Sequence, residues 1–304
     1  MTIERYPCGV PVKLAPDLTC VLAPNPSPMT YWGTNTYLVG DTHLAVIDPG
    51  PMNEPHLAAV LQAIAGRPVQ HIVLTHSHLD HSPLARPLAD AVGAPVLAFG
   101  NSQAGRSEVM SDLAAQGLTG GGEGIDHDFA PDACLKDGEV LVGDWGQMTA
   151  IHTPGHIGNH LCFQWRDAVF TGDHVMGWAS SLVSPPDGDL TDFMRSCARL
   201  RRISAQRYYP AHGAPIEDPI ARLDWVIAHR TGRERQLLEA LQAAPATVSQ
   251  LTALVYTDVA AALLPAAERN VFAHLVDLVG RGLVAALPAL SVDARFAIVA
   301  ENGK

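Results

Sequence analysis

From residue 34 the chain alternates apolar and polar positions in TNTYLVGDTHLAVID, which predicts two short strands joined by a tight turn at Gly40-Asp41. Past Pro51 the spacing changes. His56-Leu57-Ala58-Ala59-Val60-Leu61-Gln62-Ala63-Ile64 has helical periodicity and is expected to end at Gly66. HIVLTH (71–76) is continuously apolar until its last positions, the pattern of a strand buried on both faces. A helix over about 84–92 and the strand PVLAF follow. From 138 onward four more short strands are expected in EVLVG, MTAIH, HLCFQW and DAVFTGDH, and RRISAQRYYPAHG (201–213) adds a helix-to-strand step. Strands alternating with helices in this way predict a layered α/β architecture.

Two regions break the pattern. Residues 101–133 hold a helical piece around 107–116 and then the glycine-rich GLTGGGEGIDHD (117–128), expected to be a mobile insertion or lid. Beyond Pro215 the chain turns mostly helical: 220–243, a second helix opened by the capping box Thr247-x-x-Gln250, and a third over about 265–280. Two short apolar strands, around 283–287 and 295–299, close the chain. Helices followed by a small hairpin are the pattern of a winged-helix module. The expected division is a catalytic domain over 1–218 and a winged-helix-like domain over 219–304.

Composition narrows the partners. With 47% hydrophobic residues among 304, the chain can bury a sizeable core. Its formal net charge of -11 repels phosphate backbones, which disfavours nucleic acid without excluding it. Residues 230–304 carry seven Lys+Arg against seven Asp+Glu, so the tail is neutral and suits packing or homodimerisation better than reading DNA. The five cysteines form no close pair, which argues against a disulfide framework or a thiolate metal site. The opening MTIERYPCGVPVKLAPD is no secretory signal, and no apolar run reaches membrane length; a cytoplasmic protein is expected.

The chemistry is concentrated in His76-Ser77-His78-Leu79-Asp80-His81, where the buried strand runs out toward a helix. Side chains two apart on an extended segment point the same way, so His76 and His78 can grip one ion together. Asp80 and His81 follow at the bend. Imidazole and carboxylate at this density suit zinc, with iron or manganese as lesser alternatives. An accidental histidine-rich surface loop would not be delivered by an apolar strand.

THSHLDH resembles the signature of the metallo-β-lactamase superfamily, and DPG (48–50), TPGH (153–156), GD (172–173) and PAHG (210–213) follow in family order. The resemblance implies an αββα four-layer sandwich. It implies that His76, His78 and His156 hold one zinc, that Asp80, His81 and His212 hold a second, and that Asp173 bridges the two. Asp80 would also serve catalysis, and Asp48 would orient the ligand loop. Two zincs sharing a water lower its pKa enough to hydrolyse an ester, thioester or lactone of a small molecule. Asp173 at the bridging position counts against β-lactamase activity, and His78 against the diiron members. NPSPMTYWGTNTYLVG (25–40), TPGH and the helical tail are similar to a lactamase-β-like group that includes an endoribonuclease, so phosphodiester cleavage is the alternative. Ser82-Pro83-Leu84 replaces the usual small or glycine-rich continuation after the signature.

Several residues near these motifs are candidates for the substrate pocket. Tyr31 and Trp32 lie in a Pro- and Gly-rich loop, and His174, Met176 and Trp178 follow the bridging aspartate. For each, packing inside the domain is the competing role. His160 reads as a loop cap, with support of a ligand as its alternative, and His127 as a solvated loop histidine that could otherwise reach the site from the lid.

Overall fold

The computed structural model describes residues 5–120 and 124–299; Gly121–Glu123, inside the glycine-rich segment, lie outside the described residues. The first half runs β1 (Val12–Ala15), β2 (Leu18–Leu22), β3 (Asn35–Val39), β4 (Leu44–Ile47), α1 (Glu54–Ile64), β5 (Val69–Val73), α2 (Ala85–Val92), β6 (Val96–Ala98), α3 (Glu108–Ala115) and β7 (Ala133–Cys134). Then come β8 (Val140–Gly143), β9 (Gly146–His152), β10 (Leu161–Trp165), β11 (Ala168–Gly172), α4 (Leu190–Leu200) and β12 (Arg207–Pro210). The C-terminal part holds α5 (Pro219–Ala243), α6 (Val248–Val255), α7 (Leu264–Gly280) and the hairpin β13 (Val284–Leu287) and β14 (Arg295–Ile298).

Strands β1 to β7 form one sheet in sequence order, and β12-β11-β10-β9-β8 form a second. Period-two alternation sends each strand's side chains to opposite faces. In the first sheet Tyr37, Ile47 and Val73 meet Met148, Phe163 and Phe170 of the second, forming the core between the sheets. The alternate residues Leu38, Val46 and Ile72 turn outward and pack under α1 and α2. On the far side, Cys162, Val169 and Tyr208 pack against Phe193 and Cys197 of α4 and Leu223 of α5. The result is an αββα sandwich. The C-terminal helices and hairpin share a fourth core around Leu237, Leu251, Phe272 and Phe296, which also receives Met110 and Leu113 of α3.

Helix starts follow their caps. Asn53 accepts from the His56 amide and Asp218 from that of Ala221, each with a proline in the first turn, and the Thr247–Gln250 capping box is complete. Four elements were not expected from sequence, among them the two-residue β7. β1 and β2 sit among turn-forming residues that hide their pattern, and α4 precedes the segment read as a helix-to-strand step. The signal for α4 was present: Asp189 caps it, and Phe193, Cys197 and Leu200 fall at helical spacing on its buried face. The flank of the glycine-rich segment is pinned at Gly124–Asp126, where the Gly124 carbonyl accepts from the Leu79 amide at 3.1 Å and the Asp126 amide donates to the Ser77 carbonyl at 2.9 Å. Ser82 adds to this by donating to Asp126 Oδ2 at 2.7 Å, a bond that the Ser82-Pro83-Leu84 continuation makes available. No helix among the described residues is long and apolar enough to cross a membrane.

Candidate metal centre

The seven motif residues meet at one end of the sandwich, all buried. Two groups form. His76, His78, His156 and Asp173 each offer a donor atom within 4.8 Å of the others, and Asp80, His81 and His212 do the same beside them. The Asp173 carboxylate lies between the groups, with Oδ2 3.6 Å from His156 Nε2 and Oδ1 3.2 Å from His212 Nε2.

Local structure explains the convergence. Asp48, just past β4, has positive φ and aims its carboxylate across the sheet. Oδ1 accepts from the Thr75 amide at 2.7 Å, while Oδ2 accepts from Thr75 Oγ1 at 2.6 Å and from His81 Nδ1 at 3.0 Å. Thr75 Oγ1 in turn pairs with His76 Nδ1 at 2.9 Å. One carboxylate thus fixes the rings of His76 and His81 with Nε2 of each turned inward. His212 is held by the same logic, its Nδ1 donating to the Gly33 carbonyl at 3.1 Å. Gly172 permits close approach beneath the cluster, since a Cβ there, at φ +49°, would sit 2.6 Å from His160 Nε2 and 2.8 Å from Thr75 Cβ.

The two groups differ in charge. Burial, then neighbouring imidazoles, pull His76 well below the ordinary histidine range and His78 down to about 3, and burial lowers His156. These rings are neutral, the form that ligates metal. For His81 and His212 burial also opposes charge, but it is outweighed by the carboxylates of Asp80 and Asp173, which push His81 well up and His212 to about 10. Asp80 and Asp173, though buried, are drawn below the carboxylate range by His81 and His212.

The arrangement fits a bound cation. His78 Nδ1 lies 3.0 Å from His76 Nε2 and 3.1 Å from His156 Nε2, so three ring nitrogens crowd a point where they cannot all satisfy one another. Asp80 Oδ1 is buried without a hydrogen-bond partner, and His81 Nε2 and Asp173 Oδ1 have only ion-pair contacts at 3.2 Å or more inside the cluster. Groups of this kind are costly to bury unless an ion completes them.

A cleft of about 220 Å³ opens on His78, Asp80, His156 and Asp173. Met176 and Trp178 line it. The other tentative pocket residues lie elsewhere. Tyr31 stacks on the outer face of Trp178 at 4.8 Å, and Trp32 stacks on Tyr31 at 5.3 Å, so this pair backs the wall instead of forming it. His174 is fully buried behind the cleft, its ring on Phe193 and its Nε2 3.5 Å from Cys197 Sγ. His160 does more than cap a loop. Its Nε2 accepts from the Asp173 amide at 3.3 Å, and Nδ1 pairs with Thr153 Oγ1 at 2.9 Å.

Some contributors carry no readable mark in the sequence. Thr34 Oγ1 donates to Asp80 Oδ2 at 3.3 Å, and the Leu182 carbonyl accepts from His156 Nδ1 at 2.8 Å. The C-terminal helices supply one side of the cleft through Tyr256, Val259, Leu263, Ala267 and Asn270. No lysine or arginine lines it among the described residues.

The profile of the metallo-beta-lactamase superfamily matches residues 29–212, and that of the beta-lactamase associated winged helix domain matches residues 247–289. The beta-lactamase-like protein 2 homolog of Drosophila melanogaster is 30% identical over 284 residues, which are 89% of this chain and 90% of that protein. An atrochrysone carboxyl ACP thioesterase of Aspergillus fumigatus is 31% identical over 237 residues, 75% of this chain and 66% of the relative. The crystal structure of a metallo-beta-lactamase family protein from Thermus thermophilus shares the fold at a TM-score of 0.74 and 24% identity, over 94% of this chain and all of that one. Signature, geometry and relatives agree: the chain belongs to the metallo-beta-lactamase superfamily.

Proposed function

We propose that the chain is a two-zinc hydrolase that cleaves a thioester or ester of a small, largely apolar acyl group. The observation that carries this reading is the cleft. It opens on the donor atoms, is walled by side chains such as Met29, Met176, Trp178, Val259 and Leu263, and has no cation among the residues lining it. At about 220 Å³ it is smaller than the roughly 300–1,000 Å³ of drug-sized sites, which suits a short acyl chain. Apart from the metal-facing carboxylates its one charged lining residue is Asp187, which is ion-paired with Arg106 at 2.8 Å, so the wall offers no free cation to a phosphate backbone among the described residues. The name of the Aspergillus relative, a thioesterase, points the same way.

In this reading His76, His78 and His156 hold one zinc, Asp80, His81 and His212 the other, and Asp173 contacts both. The ions supply Lewis acidity and acidify water at neutral pH. The chain does the rest. Met176, Trp178 and the C-terminal wall bury the acyl group and exclude bulk water, leaving its carbonyl at the polar end. Asp80, with Oδ2 fixed by Thr34, faces the polar end of the cleft, where it would orient the attacking water while that water's proton passes to the departing thiolate or alkoxide.

The test is a substrate panel on the zinc-loaded full chain: acyl-CoA thioesters of increasing length, acyl-lactones, S-lactoylglutathione and single-stranded RNA, each repeated with Asp80→Ala. Turnover of short thioesters or esters, reduced by about 10²–10⁴-fold in the variant, is the expected result. RNA cleavage that disappears with Asp80→Ala, without ester turnover, would overturn the reading.

A further inference from the structure

Between β11 and α4 the chain crosses residues 173–189 with no regular secondary structure, yet its backbone is not left to solvent. Five of its backbone groups are taken up by side chains of α5 and α7, one of them the Pro185 carbonyl, which accepts from Arg269 at 3.5 Å. Arg222 donates to the Met176 carbonyl at 2.6 Å and to the Ala179 carbonyl at 2.7 Å. Arg230 Nη2 donates to the Ser181 carbonyl, and the Val183 amide donates to Asn270 Oδ1 at 3.2 Å. Arg230 Nη1 also donates to Asn270 Oδ1, at 2.9 Å, which locks the two side chains together. Residues 181 and 183 are therefore gripped from the C-terminal side.

Ser181 and its neighbour Leu182 also hold the candidate metal centre from the other side. The carbonyl of Leu182, between the two gripped positions, accepts from His156 Nδ1 at 2.8 Å. Ser181 Oγ donates to the carbonyl of Asp173 and, at 2.9 Å, to that of His174. His156 sits on the loop after β9, and the Leu182 carbonyl sets which of its ring nitrogens carries the proton, leaving Nε2 bare toward His78.

Arg230 is an expensive way to fill this space. It is 2% exposed, and no carboxylate forms an ion pair with it among the described residues. Burying a cation without a counter-charge carries a large desolvation penalty, and an apolar side chain of the same length would pack there without it. What the guanidinium provides is a rigid fork that reaches a loop carbonyl and Asn270 at once, which a methionine cannot do and a lysine does less well.

We infer that Arg230 and Asn270 are positioning residues for the metal centre, clamping residues 181–183 so that the Leu182 carbonyl orients His156. The C-terminal helices thus govern metal binding as well as walling the cleft. This rests on the reading of His156 as a metal ligand.

The test uses the full chain, metal-free and titrated with Co(II), in the variants Arg230→Met, Arg230→Lys, Asn270→Ala and His156→Ala. Arg230→Met is expected to weaken Co(II) at the His76–His78–His156 group about 10–100-fold and to shift its visible absorption bands, with the Asp80–His81–His212 group little changed. Arg230→Lys should recover part of the loss. In the metal-free state, the ¹⁵N shifts of His156 should move from the Nδ1–H tautomer toward a mixture. A lower melting temperature with unchanged Co(II) bands and unchanged ¹⁵N shifts would make Arg230 a packing residue and overturn the inference. Should Arg230→Met fail to fold, Asn270→Ala, which removes the Val183 and Arg230 partner along with a bond to the Ala266 carbonyl of its own helix, decides by the same readouts. The His156→Ala control separates the two levels: wild-type Co(II) uptake and bands there would overturn the ligand assignment, and the inference with it.

Discussion

His76, His78 and His156 come to the cleft as neutral imidazoles, kept so by burial and by one another. Across the Asp173 carboxylate, His81 and His212 are just as buried, but Asp80 and Asp173 hold protons on them. The two halves of one centre thus prepare for a cation in opposite ways. The first half presents bare lone pairs and little charge. The second stores negative charge, neutralised by protons that an ion must displace. The lesson is that identical ligand types need not give equal sites; the carboxylates nearby decide how binding depends on conditions.

Asp173 belongs to both halves, so removing it is the most damaging way to break the comparison. Asp173→Ala is expected to lower the metal content from two per chain to one or fewer. Losing an ion's stabilisation of transition-state charge, several kcal/mol, should reduce hydrolysis by about 10³-fold or more. Metal analysis of the purified variant beside its kinetics checks this. Two tightly held ions in Asp173→Ala would show that the carboxylate joins neither group.

A smaller effect is expected at Asp48, which acts through other residues. Asp48→Asn keeps the side-chain shape but removes the charge facing His81 Nδ1 and disturbs the Thr75 hydroxyl that orients His76. Metal affinity should fall about 10–100-fold, more at the Asp80–His81–His212 group than at the other. Equal losses at both groups, measured by Co(II) titration, would show that Asp48 supports the loop as a whole and not His81 in particular.

These cases also show what was legible in the sequence. All eight proposed ligands and orienting residues stand in short motifs on strand ends, because a strand delivers neighbouring side chains to one place: Asp48 after β4, His76, His78, Asp80 and His81 after β5, His156 after β9, Asp173 after β11 and His212 after β12. The layered sandwich was legible for the same reason, through the alternation of inward and outward residues. What escaped depends on contacts without a local pattern. Arg230 lies in a long helix where nothing local sets it apart from exposed charges such as Asp224 and Arg235, and only the fold brings it to Ser181. Leu182 contributes a carbonyl, which every residue has. Tyr31 and His174 were near the site in sequence, but stacking on Trp178 and Phe193 turned both away from the cleft.

The pH dependence of metal binding separates the halves most gently. In the metal-free chain His212 keeps its proton until about pH 10, and His81 is likewise pushed up, so a cation binding with Asp80 at neutral pH must expel at least one proton. One proton displaced raises the binding constant about tenfold for each unit of rising pH, two displaced make it steeper, and the slope ends once the imidazoles are neutral, near pH 10 for His212. The other group has no such proton to lose. His78 falls to about 3 and its companions are also lowered below the ordinary histidine value, so from neutral pH upward all three are bare and the slope should be near zero. Co(II) titrations from neutral pH to pH 8, with the two sites resolved by their absorption bands, should therefore give one steep line and one flat one. Parallel lines would mean that the carboxylates do not divide the centre as their distances imply, because Asp173, with an oxygen 3.6 Å from His156 Nε2, would then be serving both halves alike.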